Sequence, residues 1–192
     1  MRGRITLVLA FICLCGFRCS LPWKEDSPGS LSIASYNVHN LFDAKDDGLE
    51  YPEFNVGSGK WSAALYRKRL ESVGEALGRL GGEEDFPGIL CLVEVEGVGV
   101  LEDLASGPLK KANYRWTACG GPASSPVRCA ILSAFPIVGA RTHSLVDAGG
   151  YGPCRDILEA ELELGAGGAS RRLSVFVCHW KSRREGEAGT EA

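Results

Sequence analysis

The sequence predicts an α/β protein made of packed layers. Seven short apolar or alternating runs read as strands, and one stretch carries a clear helical stripe. The strands follow one another across hairpin-like turns, which fits mixed layers better than a strictly alternating strand–helix wheel. The composition agrees: 192 residues, 45% hydrophobic and 23% charged, exclude wholesale disorder and fibrous repeats. The 25 glycines predict many tight turns.

Residues 1–19 read as a leader. Arg2 and Arg4 precede an apolar run from Ile5 to Phe17, broken only by Thr6 and Gly16. Its 13 residues fall short of the ~20 needed to cross a bilayer, so the run reads as a secretory signal peptide. Cys13, Cys15 and Cys19 cluster at its end and resemble a bacterial lipoprotein signal, in which a cysteine becomes the acylated first mature residue. Arg18 departs from that pattern, where a small residue normally precedes the cysteine. The expectation is an exported chain, periplasmic, envelope-anchored or secreted, with membrane attachment through a lipidated cysteine such as Cys19.

Residues 20–30 are polar and broken by proline, and read as a linker before a domain over 31–192. Leu31–Val38 is the first strand, followed by a polar loop over 41–60. Tyr66, Leu70, Val73, Leu77 and Leu80 fall at spacings of 4, 3, 4 and 3, one apolar helix face, which Gly81 and Gly82 end. Gly88–Glu94 is continuously apolar up to its acid and suits a strand buried on both faces. A short helix is expected over 99–105, then strands over 114–119, 127–133, 137–145 and 155–164. In the last of these Leu158, Ala160, Leu162 and Leu164 alternate with Glu159, Glu161 and Glu163. Leu173–Trp180 is the seventh strand. Cys91, Cys119, Cys129, Cys154 and Cys178 form no Cys-x-x-Cys pair, so a thiolate zinc site is not expected; most sit in or at the ends of apolar runs, where a cysteine acts as a small buried hydrophobe, and one disulfide stays open.

Charge narrows the partners. Arg2, Arg4 and Arg18 are the only charges before Ser20, so 18 of the 21 basic residues face all 24 acids beyond it, a net of −6. Such a body has no overall electrostatic footprint for nucleic acid. No Gly-x-Ser-x-Gly or His-Glu-x-x-His motif occurs, and Gly57-Ser-Gly-Lys60 lacks the upstream glycine and hydroxyl residue of a phosphate loop. What remains is a polar residue at the end of several apolar runs: Asn37, Glu94 and His179. A carboxylate there is costly unless it is paired or binds a hard cation, and an imidazole can donate to or shuttle a proton near a phosphoester. Taken singly, each also fits a turn asparagine, a helix cap or surface ion pair, or a satisfied strand-end histidine.

The order of the segments carries more. Ala34-Ser-Tyr-Asn-Val-His-Asn-Leu-Phe-Asp43, Gly88-Ile-Leu-Cys-Leu-Val-Glu-Val-Glu96, Cys154-Arg-Asp-Ile-Leu-Glu159 and Val175-Phe-Val-Cys-His-Trp-Lys-Ser-Arg183 together resemble the endonuclease/exonuclease/phosphatase superfamily, and in particular its secreted bacterial nuclease-like members. The resemblance implies a four-layer α/β sandwich, two mixed sheets with outer helices, here partial because its C-terminal portion is missing. It implies Mg2+ or Mn2+ as cofactor and a phosphodiester substrate, with DNA as one candidate. By the same resemblance Glu94 is the metal ligand, Asn37 and His179 are catalytic, and Arg155 steers the substrate phosphate. Val93 and Cys178 depart from the family's usual glutamine and asparagine or threonine. The family's Gly-Asp-x-Asn and Ser-Asp-His motifs do not occur, and only 13 residues follow His179. The expected function is therefore metal-dependent phosphodiester hydrolysis, impaired in this chain. The alternatives are an inactive envelope lipoprotein or binding remnant, and a lipid- or sugar-phosphate phosphatase.

Overall fold

The structure, a computed structural model, describes residues 5–6, 17–21, 31–81, 86–122, 124–144, 156–165 and 170–180. In chain order the described elements are β1 (Ile5–Thr6), β2 (Phe17–Leu21), β3 (Leu31–Leu41), α1 (Ala63–Gly78), β4 (Ile89–Val95), α2 (Val98–Ser106), β5 (Trp116–Gly120), β6 (Arg128–Ser133), β7 (Ile137–His143), β8 (Ile157–Leu164) and β9 (Arg171–Val177). They form a sheet of order β2-β3-β4-β6-β5 and a sheet of order β1-β9-β8-β7. β3 and β4 run parallel, as do β1 and β9, and every other pair is antiparallel. β2 spans the boundary between the expected leader and linker and pairs with β3 through Phe17↔Ser35 to Leu21↔Leu31.

Strand alternation sorts the core into two slabs. From β4, Leu90 and Leu92 point to one side and pack with Tyr66, Leu70, Val73 and Leu77 of α1 and with Leu101 and Leu104 of α2. Ile89, Cys91 and Val93 point to the other side and meet Leu158, Ala160, Leu162, Val175 and Val177 of the second sheet. β4 is thus buried on both faces, as its unbroken apolar run predicts. The described residues form three layers, helices on sheet on sheet, which is the partial α/β sandwich expected. Cys91 and Cys129 lie in the slab between the sheets, and burial, with Cys129 alongside, pushes the Cys91 thiol up to about 12.

The helix begins where Ser62 accepts a hydrogen bond from Leu65 N at 3.3 Å. It ends at Gly78, three residues before the glycine pair expected to stop it, and tightens into a 3-10 turn over Arg79–Gly81. At Gly74 an added Cβ would sit 2.3 Å from Pro108 Cβ, so only glycine lets α1 approach the segment after α2 this closely. Tyr66 anchors the two helices by donating to Asp103 Oδ2 at 2.7 Å. β3 runs past its predicted end at Val38 to Leu41, through a break in register, and β9 starts two residues before its predicted span and ends at Val177, short of Trp180.

Candidate active site

The regular ladder between β3 and β4 stops at Asn37↔Val93 and resumes at Leu41↔Val95. On the other side of β4 the pairing with β6 also shifts between Val93 and Val95. The residues squeezed out of register adopt left-handed backbone: His39 at φ 54°, Asn40 at φ 59° and Glu94 at φ 67°. None is glycine, and such conformations persist only where the surroundings over-determine them. Buried Val38 and Leu41 on β3, with Phe42 just beyond it, and Val93 and Val95 on β4 hold the break from both sides. Hydrogen bonds complete the hold. Asn37 Oδ1 accepts from His39 N at 2.7 Å, and Glu96 N donates to Leu41 O at 3.1 Å.

The break brings predicted residues together. Asn40 N donates to Glu94 Oε2 at 3.1 Å. The other oxygen, Glu94 Oε1, lies 3.3 Å from His179 Nε2, with both side chains largely buried. His179 follows β9 and Glu94 lies in β4, so the pair ties the two sheets together at one end of the sandwich. Asn37 stands at the last regular pair before the break. Of the four residues singled out in the sequence, Asn37, Glu94 and His179 thus cluster at adjacent strand ends. The fourth, Arg155, lies outside the described residues, as do Cys154 and the segment after Trp180. Burial raises the Cys178 thiol, so the residue that departs from the family's pattern beside His179 is a neutral neighbour.

A cleft of about 400 Å³ opens beside the histidine, lined among others by His179, Tyr51, Gly121, Arg128 and Asp156. Asp156 Oδ2 is buried there with no hydrogen-bond partner among the described residues. Sequence reasoning passed over Arg128 and Asp156. Arg128 opens an ordinary strand, and Asp156 sits beside the arginine that drew attention.

A second acidic group was also missed. Ligand oxygens of Asp47, Glu50 and Glu96 lie within 4.8 Å of one another. Asp43 N donates to Glu96 Oε2 at 2.6 Å, yet burial, joined by the charges of Asp43, Asp47 and Glu50, pushes Glu96 up to about 7. Its only sequence signal is the second acid of Val-Glu-Val-Glu96 opposite an acidic loop.

The donor chemistry fits a hard divalent cation. The carboxylate of Glu94 offers the hard oxygen donors that such a cation takes, at the end of a strand beside a cleft. Magnesium needs only one or two carboxylates when waters and phosphate oxygens fill the rest.

The model of the endonuclease/exonuclease/phosphatase family matches residues 32–192. The chain belongs to this family. No curated protein matches it. Membership in the endonuclease/exonuclease/phosphatase family supports a hydrolase of the phosphodiesterase or nuclease type in general. The match begins one residue into β3 and takes in the break, Glu94 and His179.

Proposed function

We propose that this chain hydrolyses phosphodiesters with the help of Mg2+ or Mn2+. The observation that carries the reading is the Glu94–His179 pair, held at 3.3 Å across the two sheets beside a cleft. Glu94 would hold the cation, which when bound neutralises charge on the phosphoryl oxygens. His179 sits on the cleft wall and donates a hydrogen bond to the phosphate or the departing oxygen. Asn37 has its Oδ1 committed to His39 N, which leaves its amide NH2 to donate to a phosphate oxygen. Arg155, next to the cleft residue Asp156, steers the phosphate.

The test is hydrolysis of bis(p-nitrophenyl) phosphate and of plasmid DNA by the purified chain with Mg2+ or Mn2+. Hydrolysis that EDTA abolishes is expected. His179→Ala should lower it by about 10²-fold or more, and Glu94→Ala should remove it. Turnover that survives EDTA or both substitutions refutes the assignment. No turnover with any divalent cation favours an inactive binding remnant.

A second reading, a phosphatase acting on lipid or sugar phosphates, is favoured by the net −6 beyond Ser20, which opposes long-range steering of a polyanion. Faster release of phosphate from sugar or lipid monoesters than nicking of DNA selects it. The leader adds export, with acylation at Cys19 or a neighbour. Palmitate labelling of the chain and its loss in Cys19→Ser test that attachment.

A further inference from the structure

Arg69 is out of place on its helix. Its neighbours Arg67 and Lys68 are exposed, as a charged helix face should be, but Arg69 is half-buried. Its Nη2 donates to Val38 O at 2.9 Å and to His39 O at 3.0 Å. These carbonyls belong to the stretch where β3 leaves its ladder with β4, between Asn37 and Leu41. A strand that breaks register strands its polar backbone groups, and a carbonyl left unpaired is costly. The guanidinium fork supplies donors from outside the sheet, and hydrogen bonds from a charged donor are about twice as strong as neutral ones.

The second of these peptides is the one that matters for the site, because His39 O and Asn40 N belong to one planar unit whose C=O and N–H point in opposite directions. With Val38 O and His39 O turned toward α1, the left-handed pair His39 and Asn40 directs Asn40 N toward Glu94 Oε2. From this chain of contacts we infer that Arg69 is a positioning residue. It fixes the carboxylate of Glu94 through the His39–Asn40 backbone and touches neither cation nor substrate. The inference rests on the reading of Glu94 as the cation ligand only for its consequence in binding, since the backbone geometry stands without it.

The full chain, with Arg69→Met and Arg69→Lys, tests this by two measurements. The first is hydrogen exchange at the Asn40 amide, referenced to amides of β4. The second is Mn2+ affinity, read from the free Mn2+ spectrum. In Arg69→Met the Asn40 amide should exchange at least about tenfold faster while the β4 amides hold. Mn2+ should bind about tenfold more weakly, the lower end of the range for residues behind a ligand. Arg69→Lys keeps a charged donor and should recover part of both, which a general loss of helix packing would not do. If Arg69→Met does not fold, Arg69→Lys set against the wild type still reads both quantities, and smaller shifts in the same direction are expected. An unchanged Asn40 amide in a folded variant overturns the inference. If the wild type binds no Mn2+, the function proposed for Glu94 fails, and the amide measurement still decides the role of Arg69.

Discussion

Strand β4 contains two regions of opposite character. From Ile89 to Val93 it is regular, apolar and buried on both faces, paired residue by residue with β3 and β6. At Glu94 it turns polar and left-handed, and the pairing with both neighbours shifts before it resumes at the buried Val95. The first region is where the sandwich gains stability, and the second is where it spends some. A strand can hold a carboxylate in an unfavourable backbone conformation because five buried residues before it leave no freedom to relax. Stability and site are thus adjacent on one strand, and substitutions two residues apart should separate them.

The largest effect on stability is expected at Leu92, fully buried against the helices. Leu92→Ala should cost about 2–5 kcal/mol, from lost transfer energy and the cavity left behind. Urea unfolding followed by circular dichroism measures it. A loss below about 1 kcal/mol would mean that the helix layer closes over the gap, and that the regular region is less rigid than its packing implies.

This contrast also explains what was legible in the sequence. The regular region announced itself, because burial writes a period: continuous in β4, alternating in β8, and 3.6-fold in α1. Asn37, Glu94 and His179 could be picked out because each is a polar residue ending such a period. The break itself could not. His39, Asn40 and Glu94 take left-handed backbone without glycine; histidine and asparagine enter that region more readily than most residues, but nothing local marks Glu94, and the cause lies in packing from three separate segments. Arg69 fell on a helix face that reads as solvated, and its targets are backbone carbonyls that exist only because β3 breaks. Nothing in the sequence sets Glu96 apart, since what raises it is burial and the acids of a loop some fifty residues earlier.

A smaller and sharper effect is expected at Glu94. Glu94→Ala and Glu94→Gly both remove the carboxylate and the hydrogen bond from Asn40. They differ in backbone, because φ is 67° and glycine alone occupies that region without strain. Glu94→Gly should therefore be more stable than Glu94→Ala by about 1 kcal/mol, the reverse of the order in a regular strand. The same pair at Val93 should show the usual order, alanine above glycine. Equal stabilities at position 94 would show that the strand relaxes once the carboxylate is gone, so that the side chain's contacts, and not the packed strand, impose the left-handed turn.

The smallest effect, and the most specific, is the pH dependence contributed by Glu96. It lies two residues beyond Glu94 but has acids for neighbours instead of a histidine. Burial and the charges of Asp43, Asp47 and Glu50 raise it to about 7, above the value near 4.5 of an unhindered glutamate. Below about pH 4.5 it is protonated in both the folded and unfolded chain. Between there and about 7 the unfolded chain has released the proton while the folded chain keeps it. The folded state then binds more protons, so this group's contribution to stability falls as pH rises through that window. Its partial exposure to solvent keeps the slope shallow. Glu96→Gln cannot ionise and should gain on the wild type in urea midpoint as pH is raised from 5 to 8. The hydrogen bond from Asp43 N can be kept by the amide oxygen, so the two proteins should differ least at the acid end. A constant difference across that range would mean that the lost charge is not what separates them, and that Glu96 is already ionised in the folded chain at pH 5.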